Sequence, residues 1–168
     1  MMHIAWRPQM SVDCGVIDDD HRQIIAITNE FLDIEEKSPS AQECVRILVK
    51  LDHYTKVHFK REISLQRAIG YPYSDSHVYQ HRDLLKRLDA LRARFDVKAV
   101  PEKVIEIHRA VAEILRSWFI DHIIQSDLNM RPHAAALRKR AAGLDTLSRV
   151  AERAAGNGAP AEAPLRAE

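Results

Sequence analysis

The chain has 168 residues, 46% hydrophobic and 29% charged, which suits one globular domain with a real core but is short for two. Its formal net charge of +1 gives no reason to expect nucleic acid or an anionic membrane as a partner. It contains no run of about 20 uncharged apolar residues, and its N-terminus lacks a signal-peptide pattern. We therefore expect a cytoplasmic protein in which Cys14 and Cys44 are reduced thiols.

Apolar residues recur at three- and four-residue intervals along most of the chain, which predicts helices. After an irregular N-terminal arm, a first helix is expected to begin near Asp18 to Asp20, because carboxylates suit a positive helix N-terminus. The sequence "KSPS" should end this helix. Ser38 can then cap a second helix and Pro39 can open it.

The second helix is predicted to run to about Ile69, with Gly70 as its C-terminal cap. A third helix should span roughly Asp75 to Phe95, and Pro101 should open a fourth.

The fourth helix is expected to reach about Met130, where Pro132 interrupts it. A fifth, Ala- and Arg-rich helix should cover about 133–154, before a tail that is too polar and small-residue-rich to fold.

Four long helices joined by short turns predict an all-α fold, an antiparallel up-down-up-down four-helix bundle. We expect the bundle over residues 1–131, a C-terminal helical extension over 132–154 and a disordered tail over 155–168.

Two pairs of polar residues stand four positions apart, His58 with Glu62 and His77 with His81. Residues i and i+4 project from the same helix face, so each pair can point at one spot. His21 near the start of the first helix can face the same interior. The fourth helix adds a histidine and an aspartate among apolar residues, His122 and Asp127.

A single histidine on an apolar face is more often a hydrogen-bonded core residue than a metal ligand. Five imidazoles and two carboxylates buried together in a small core would be costly, whereas a metal removes that cost. Seven donors are too many for one tetrahedral zinc, and a mixed nitrogen and oxygen set suits two irons. Manganese or zinc in part of the site remains open from the residues alone.

The ordered set of motifs resembles the hemerythrin family, specifically the single-domain bacterial hemerythrins. The resemblance covers about residues 6–130 and rests on "W" at 6, "SV" at 11–12, "ID" shortly before His21, "HFxxE" at 58–62, "GYP" at 70–72, "HxxxH" at 77–81 and "WxxxHIxxxD" at 118–127.

The resemblance implies two iron ions (Fe2+/Fe3+) joined by an oxo or hydroxo bridge. It implies that one iron is held by three histidines and the other by two, which leaves the second with an open position for O2, and that two carboxylates bridge both. The three are His77, His81 and His122, the two are His21 and His58, and the bridging carboxylates are Glu62 and Asp127.

The spacing of His122 and Asp127 is awkward, because five residues place them about 140° apart on an ideal helix. We expect a local π-type widening, or an aspartate that reaches back across the turn. Asp18 is a candidate acceptor for orienting His21.

The O2 pocket that the resemblance implies is walled by Phe59, Trp118, Phe119 and Ile123. Phe119 stands where the family usually has leucine, so ligand entry or autoxidation should be slower than in Phe119→Leu. Elsewhere Ile63 and Gln66 replace a common glutamate and a common methionine.

The predicted function is therefore reversible O2 binding for storage, delivery or sensing, by a protein that is not an enzyme. Two alternatives stay open: a di-iron enzyme that handles peroxide or nitric oxide, and a signalling module acting through a separate protein partner, which the C-terminal extension would contact.

Overall fold

A computed structural model describes residues 3–34 and 38–156, including their side chains apart from those of 118–120 and 150–156. The described residues form five α-helices, and two 3-10 turns cover Pro8–Met10 and Asp127–Met130. The helices are α1 (Val16–Leu32), α2 (Ala41–Ile69), α3 (Ser74–Arg92), α4 (Pro101–Gln125) and α5 (Arg131–Gly156). Nearly all of the predicted tail lies outside the described residues.

The start of α2 differs from the prediction. Ser40, not Ser38, is the N-cap: it has an extended backbone, and its hydroxyl accepts a hydrogen bond of 3.3 Å from the N–H of Glu43. Pro39 precedes this cap and so does not open the helix. Ser40 is the cap because its hydroxyl lies three residues before Glu43, whose backbone N–H has no partner within the helix.

The end of α2 agrees with the prediction. Gly70 adopts a left-handed conformation, with φ of 62° and ψ of 45°, and its N–H bonds to the carbonyl of Arg67. A side chain would be strained in this conformation, so glycine is the natural residue for the turn that leads into α3.

The helices run antiparallel, as cross-helix contacts show. His21 early in α1 faces His58 late in α2, whereas Glu30 late in α1 pairs with Lys50 nearer the start of α2. On the other side of α1, the Phe31 ring stacks on His108 of α4, at a centroid distance of 5.0 Å. The predicted all-α bundle is confirmed.

Two apolar regions flank the bundle's polar interior. The larger one fills the middle and the end where α1 finishes, with fully buried members such as Phe31, Leu48 and Val111. The smaller one, at the opposite end, gathers Val12, Ile17, Tyr71 and Met130. The N-terminal arm packs on the larger region through Ile4 and Trp6.

The chain divides into two compact units, residues 1–134 and 135–168. In the second unit every described residue belongs to α5. Arg131, at the start of α5, donates hydrogen bonds to the backbone carbonyls of Gln9 and Ser11 and so ties the end of the first unit to the arm. No helix among the described residues is long and apolar enough to cross a membrane.

Candidate metal centre

One end of the bundle brings together seven polar side chains from its four helices and from the 3-10 turn that follows α4. This histidine–carboxylate cluster lies where α1 begins, α2 ends, α3 begins and α4 ends. Each of its members is buried, with at most 7% exposure. They are His21, His58, Glu62, His77, His81, His122 and Asp127.

Asp127 lies between the two sides of the cluster. Its Oδ1 is 3.2 Å from Nε2 of both His77 and His122, and its Oδ2 is 3.2 Å from Nε2 of His21. One carboxylate therefore reaches histidines of α1, α3 and α4 through its two oxygens.

Glu62 makes its contacts through a single oxygen. Its Oε2 lies 2.8 Å from Nε2 of His81, 3.4 Å from that of His77 and 3.8 Å from that of His58. The i,i+4 spacing on α2 places Glu62 beside His58, and the turn at Gly70 returns the chain so that α3 faces both.

The donor atoms fall into two overlapping groups. Within each group the atoms lie within 4.8 Å of one another, close enough to surround one metal ion. The larger group holds Glu62, His77, His81, His122 and Asp127, and the smaller holds His21, His58 and Asp127. The assignment of each group to one iron stays a prediction.

The awkward spacing of His122 and Asp127 is resolved by a break in the helix. α4 ends at Gln125, Ser126 has φ of −116° and ψ of −59°, and Asp127 opens a 3-10 turn. The expected continuous helix to Met130 is therefore wrong, and residues 122–127, all of them described, show no π-type widening. The break turns Asp127 back towards the interior. A continuous helix would have directed it away from His122.

Charge–charge contacts shift the pKa values of the carboxylates. Burial alone would raise the pKa of Asp127, but His122, His21 and His77 outweigh burial and hold it well below its usual range. Burial and Asp127 likewise oppose the charge on Glu62, yet its histidine neighbours keep its pKa lowered. Both residues are therefore carboxylates at neutral pH, as anionic metal ligands must be.

The pKa values of the three histidines on one side of the cluster shift in different directions. Burial would lower the pKa of His77, but the nearby carboxylates of Asp127 and Glu62 raise it to about 9. Burial dominates at His81 and His122, whose pKa values are lowered. The neutral imidazole that a metal needs is therefore favoured directly at two of these three residues, and at His77 only when a metal displaces the proton.

In six of the cluster's seven residues, donor atoms lack ordinary hydrogen-bond partners among the described residues. Among the described residues, neither oxygen of Glu62 or Asp127 has a well-formed hydrogen bond, nor does Nε2 of His58, His77, His81 or His122. Buried polar atoms are normally satisfied, and unsatisfied ones are costly. Imidazole nitrogens and carboxylate oxygens converging in this way fit first-row transition metals.

Two of the four predicted pocket residues, Phe59 and Ile123, have described side chains. Phe59 is buried and stacks on the ring of His81, with centroids 3.6 Å apart and planes 4° from parallel. Ile123 is fully buried next to His122 in the chain. The side chains of Trp118 and Phe119 lie outside the described residues, so their place in the pocket stays a prediction.

Asp18 binds the N-terminal arm. Its carboxylate accepts hydrogen bonds from the Ser11 hydroxyl at 2.5 Å and from the N–H groups of Val12 and Asp13, at 2.7 and 3.3 Å. These bonds fix the arm over the start of α1. The orienting role towards His21 stays a prediction.

Asp20 is the neighbour of the cluster that sequence reasoning missed. It is 1% exposed, its Oδ2 lies 3.7 Å from Nδ1 of His58, and its Oδ1 accepts from Tyr54 and Arg61. Despite burial of His58, Asp20 and the cluster carboxylates raise its pKa. The only sequence signal was a third acidic residue in "DDD" just before His21.

Two clefts between α3 and α4 reach the three-histidine side. One has a volume of about 300 Å³ and includes His122, Asp83 and Asp121 in its lining; the other, of about 180 Å³, includes His77. Gln80, Gln125 and Ser126 line both.

The fold and the cluster define a class of protein: an all-α bundle whose interior histidines and carboxylates converge as metal ligands do. Residues 15–134 match the family model of the hemerythrin HHE cation-binding domain, and the chain belongs to the hemerythrin family.

Similar sequences and a similar solved structure are consistent with membership of this family. The chain is 25% identical over 127 residues to a bacteriohemerythrin of Pseudomonas aeruginosa, covering 76% of this chain and 78% of that protein. It is 27% identical, with the same coverage, to a bacteriohemerythrin of Stenotrophomonas maltophilia. A solved leucine-to-tyrosine mutant of hemerythrin superposes with a TM-score of 0.64 at 24% identity, over 80% of this chain and 98% of that one, which supports the fold.

Proposed function

We propose that this chain binds two iron ions in the histidine–carboxylate cluster and binds O2 reversibly there. The observation that carries the proposal is the position of Asp127, which belongs to both donor groups and offers a different oxygen to each. A carboxylate shared in this way suits two neighbouring metals better than one.

The donors would divide between the metals by group. His77, His81 and His122 would hold one iron and His21 and His58 the other, with Glu62 and Asp127 contributing to both. A group with only two histidines leaves more room for an exogenous ligand than a group with three. Iron bound here would supply reversible one-electron changes at each metal.

The protein's own contribution is orientation and exclusion of water. Phe59 covers one face of the His81 ring, and all seven donor residues are at most 7% exposed. Asp20 would accept a hydrogen bond from Nδ1 of His58, which leaves Nε2 of His58 as the metal-binding nitrogen. A buried, pre-oriented set of donors would favour reversible binding of O2 over irreversible oxidation of the metal centre.

The domain boundaries are part of the proposal. We place the iron-binding bundle within residues 1–131, treat 132–154 as a helical extension and leave 155–168 as a tail.

The decisive experiment is anaerobic reduction of the purified full-length chain, followed by O2 titration with iron quantified. About two irons per chain and an optical spectrum that changes reversibly with O2 are the expected results. An unchanged spectrum, or one iron per chain, would contradict the proposal. Many turnovers of peroxide or nitric oxide per chain would identify an enzyme instead.

A further inference from the structure

Gln66 is a buried amide whose nitrogen has no partner in the part of the chain that the structure describes. The residue is 1% exposed and lies one turn beyond Glu62 on α2. Its Nε2 is inaccessible to solvent. An unpaired buried amide costs free energy, so its retention here calls for a physical role.

The opposite end of the same amide is fixed. Its Oε1 accepts a hydrogen bond of 2.8 Å from the hydroxyl of Ser74, the first residue of α3. Because an amide group is planar, a carbonyl held by Ser74 directs the nitrogen away from Ser74. The side chain is therefore oriented, and the free group is a hydrogen-bond donor.

Glu62, one turn earlier on the same helix face, carries an unsatisfied acceptor. All ion-pair contacts of Glu62 among the described residues use Oε2, and its buried Oε1 has no hydrogen-bond partner there. Residues four apart on a helix have their Cβ atoms about 5–6 Å apart, so both side chains end in the same interior. Direct contact is not made, and one water molecule can satisfy both groups.

We propose that Gln66 is a positioning residue for Glu62, donating through one buried water molecule to the carboxylate oxygen Oε1. The inference rests on the proposed function in so far as Glu62 is an iron ligand. A carboxylate oxygen has lone pairs for both a metal and a hydrogen bond. Donation to it draws negative charge away from the metal and so favours the reduced centre.

The test compares four full-length, iron-loaded proteins: the wild type, Gln66→Met, Gln66→Glu and Ser74→Ala. Methionine keeps the length of the side chain without polar donors, and glutamate keeps its shape and acceptor but, ionised, has no donor. Ser74→Ala removes the carbonyl's partner and leaves the donor in place. The midpoint potential of each protein is measured by spectroelectrochemical titration after iron is quantified.

Gln66→Met should shift the reduction equilibrium about fivefold towards the oxidised form, the size of one net hydrogen bond. Gln66→Glu should shift it further in the same direction, because it also adds a negative charge. Ser74→Ala should shift it much less. Wild-type potentials in both Gln66 variants would overturn the proposal. An equal shift in Ser74→Ala would also overturn it, because the effect would then come from the packing of α2 against α3.

A second measurement is independent of iron. In the 15N-labelled metal-free chain, the Gln66 side-chain amide protons should show a cross-relaxation signal to a long-lived water and should shift in Glu62→Gln. Absence of both effects would overturn the proposal even if the wild type binds two irons. If the wild type fails to bind two irons, the proposed function fails, and this measurement still decides the role of Gln66.

Discussion

Nε2 of His122 lies 3.2 Å from Oδ1 of Asp127, although five positions separate the two residues. A continuous helix would have turned them about 140° apart. The contact exists because α4 ends at Gln125 and the chain re-enters through a 3-10 turn. A local failure of helical geometry thus supplies the carboxylate shared by both donor groups.

Asp127→Asn should abolish binding of both irons, because the replaced carboxylate contributes to both groups. His58→Ala should remove only the iron of the two-histidine group. Iron per chain, measured after reconstitution, should be near zero in the first variant and near one in the second. The control is His53→Ala, which changes an exposed histidine on the same helix and should keep two irons. Two irons retained in Asp127→Asn would contradict the assignment.

Asp20→Asn should weaken iron binding by roughly 10- to 100-fold, the usual effect of removing a partner that orients a ligating histidine. The reason is the contact between Asp20 and Nδ1 of His58. Competition with a chelator measures the change. Asp19→Asn is the matched control, because Asp19 is the exposed neighbour that pairs with Arg22. Equal affinities in the two variants would refute the role of Asp20.

Removal of iron should lower the free energy of unfolding by about 3 kcal/mol or more, the order expected when buried charges lose their compensation. Glu62 and Asp127 are each 0% exposed and would remain with only histidines as partners. Denaturant titrations of the loaded and the chelated chain measure the difference. Coincident curves would show that no metal stabilises the bundle.

The two cysteines should react very differently with a thiol reagent. Cys14 is exposed, whereas Cys44 is buried, and burial raises the pKa of its thiol from 9.0 to about 12. At pH 8 the folded chain should therefore lose one thiol rapidly and the second only on unfolding. Cys14→Ser should abolish the fast phase.

The Cys44 shift also has a sign for stability. The unfolded chain releases the Cys44 thiol proton near pH 9 and the folded chain only near pH 12. The free energy of unfolding is therefore unaffected by this thiol below pH 9 and falls as pH rises from 9 towards 12. Cys44→Ala should flatten the fall in unfolding free energy over this range. An identical alkaline slope in the variant would contradict the assignment.

Gly70→Ala should destabilise the bundle by about 1–2 kcal/mol, because a left-handed conformation is unfavourable for a residue with a Cβ atom. The space around the added Cβ is open, so strain in the backbone is the sole cause expected. Asparagine tolerates this conformation better, so Gly70→Asn should cost less. Thermal unfolding of the two variants tests the order.

The amino-acid sequence by itself determined the helical bundle, the end of α2 and the start of α3 on either side of the turn at Gly70, and the residue types of the cluster. These features follow from short-range rules, because apolar periodicity sets helix faces and i,i+4 spacing fixes which side chains share a face. The start of α2 was less well predicted, since Ser38 and Ser40 are both plausible caps and only the backbone distinguishes them. Pro101 opens α4 as predicted.

Only the tertiary structure decided how the donors meet. The break at Ser126, the contact of Asp20 with His58 and the unpaired nitrogen of Gln66 depend on neighbours from other helices or on one irregular residue. No periodic rule encodes such contacts, because they arise from packing between segments far apart in the chain. Local sequence thus specified the helices and the residue types of the candidate metal centre, and packing specified which carboxylate oxygen each histidine faces.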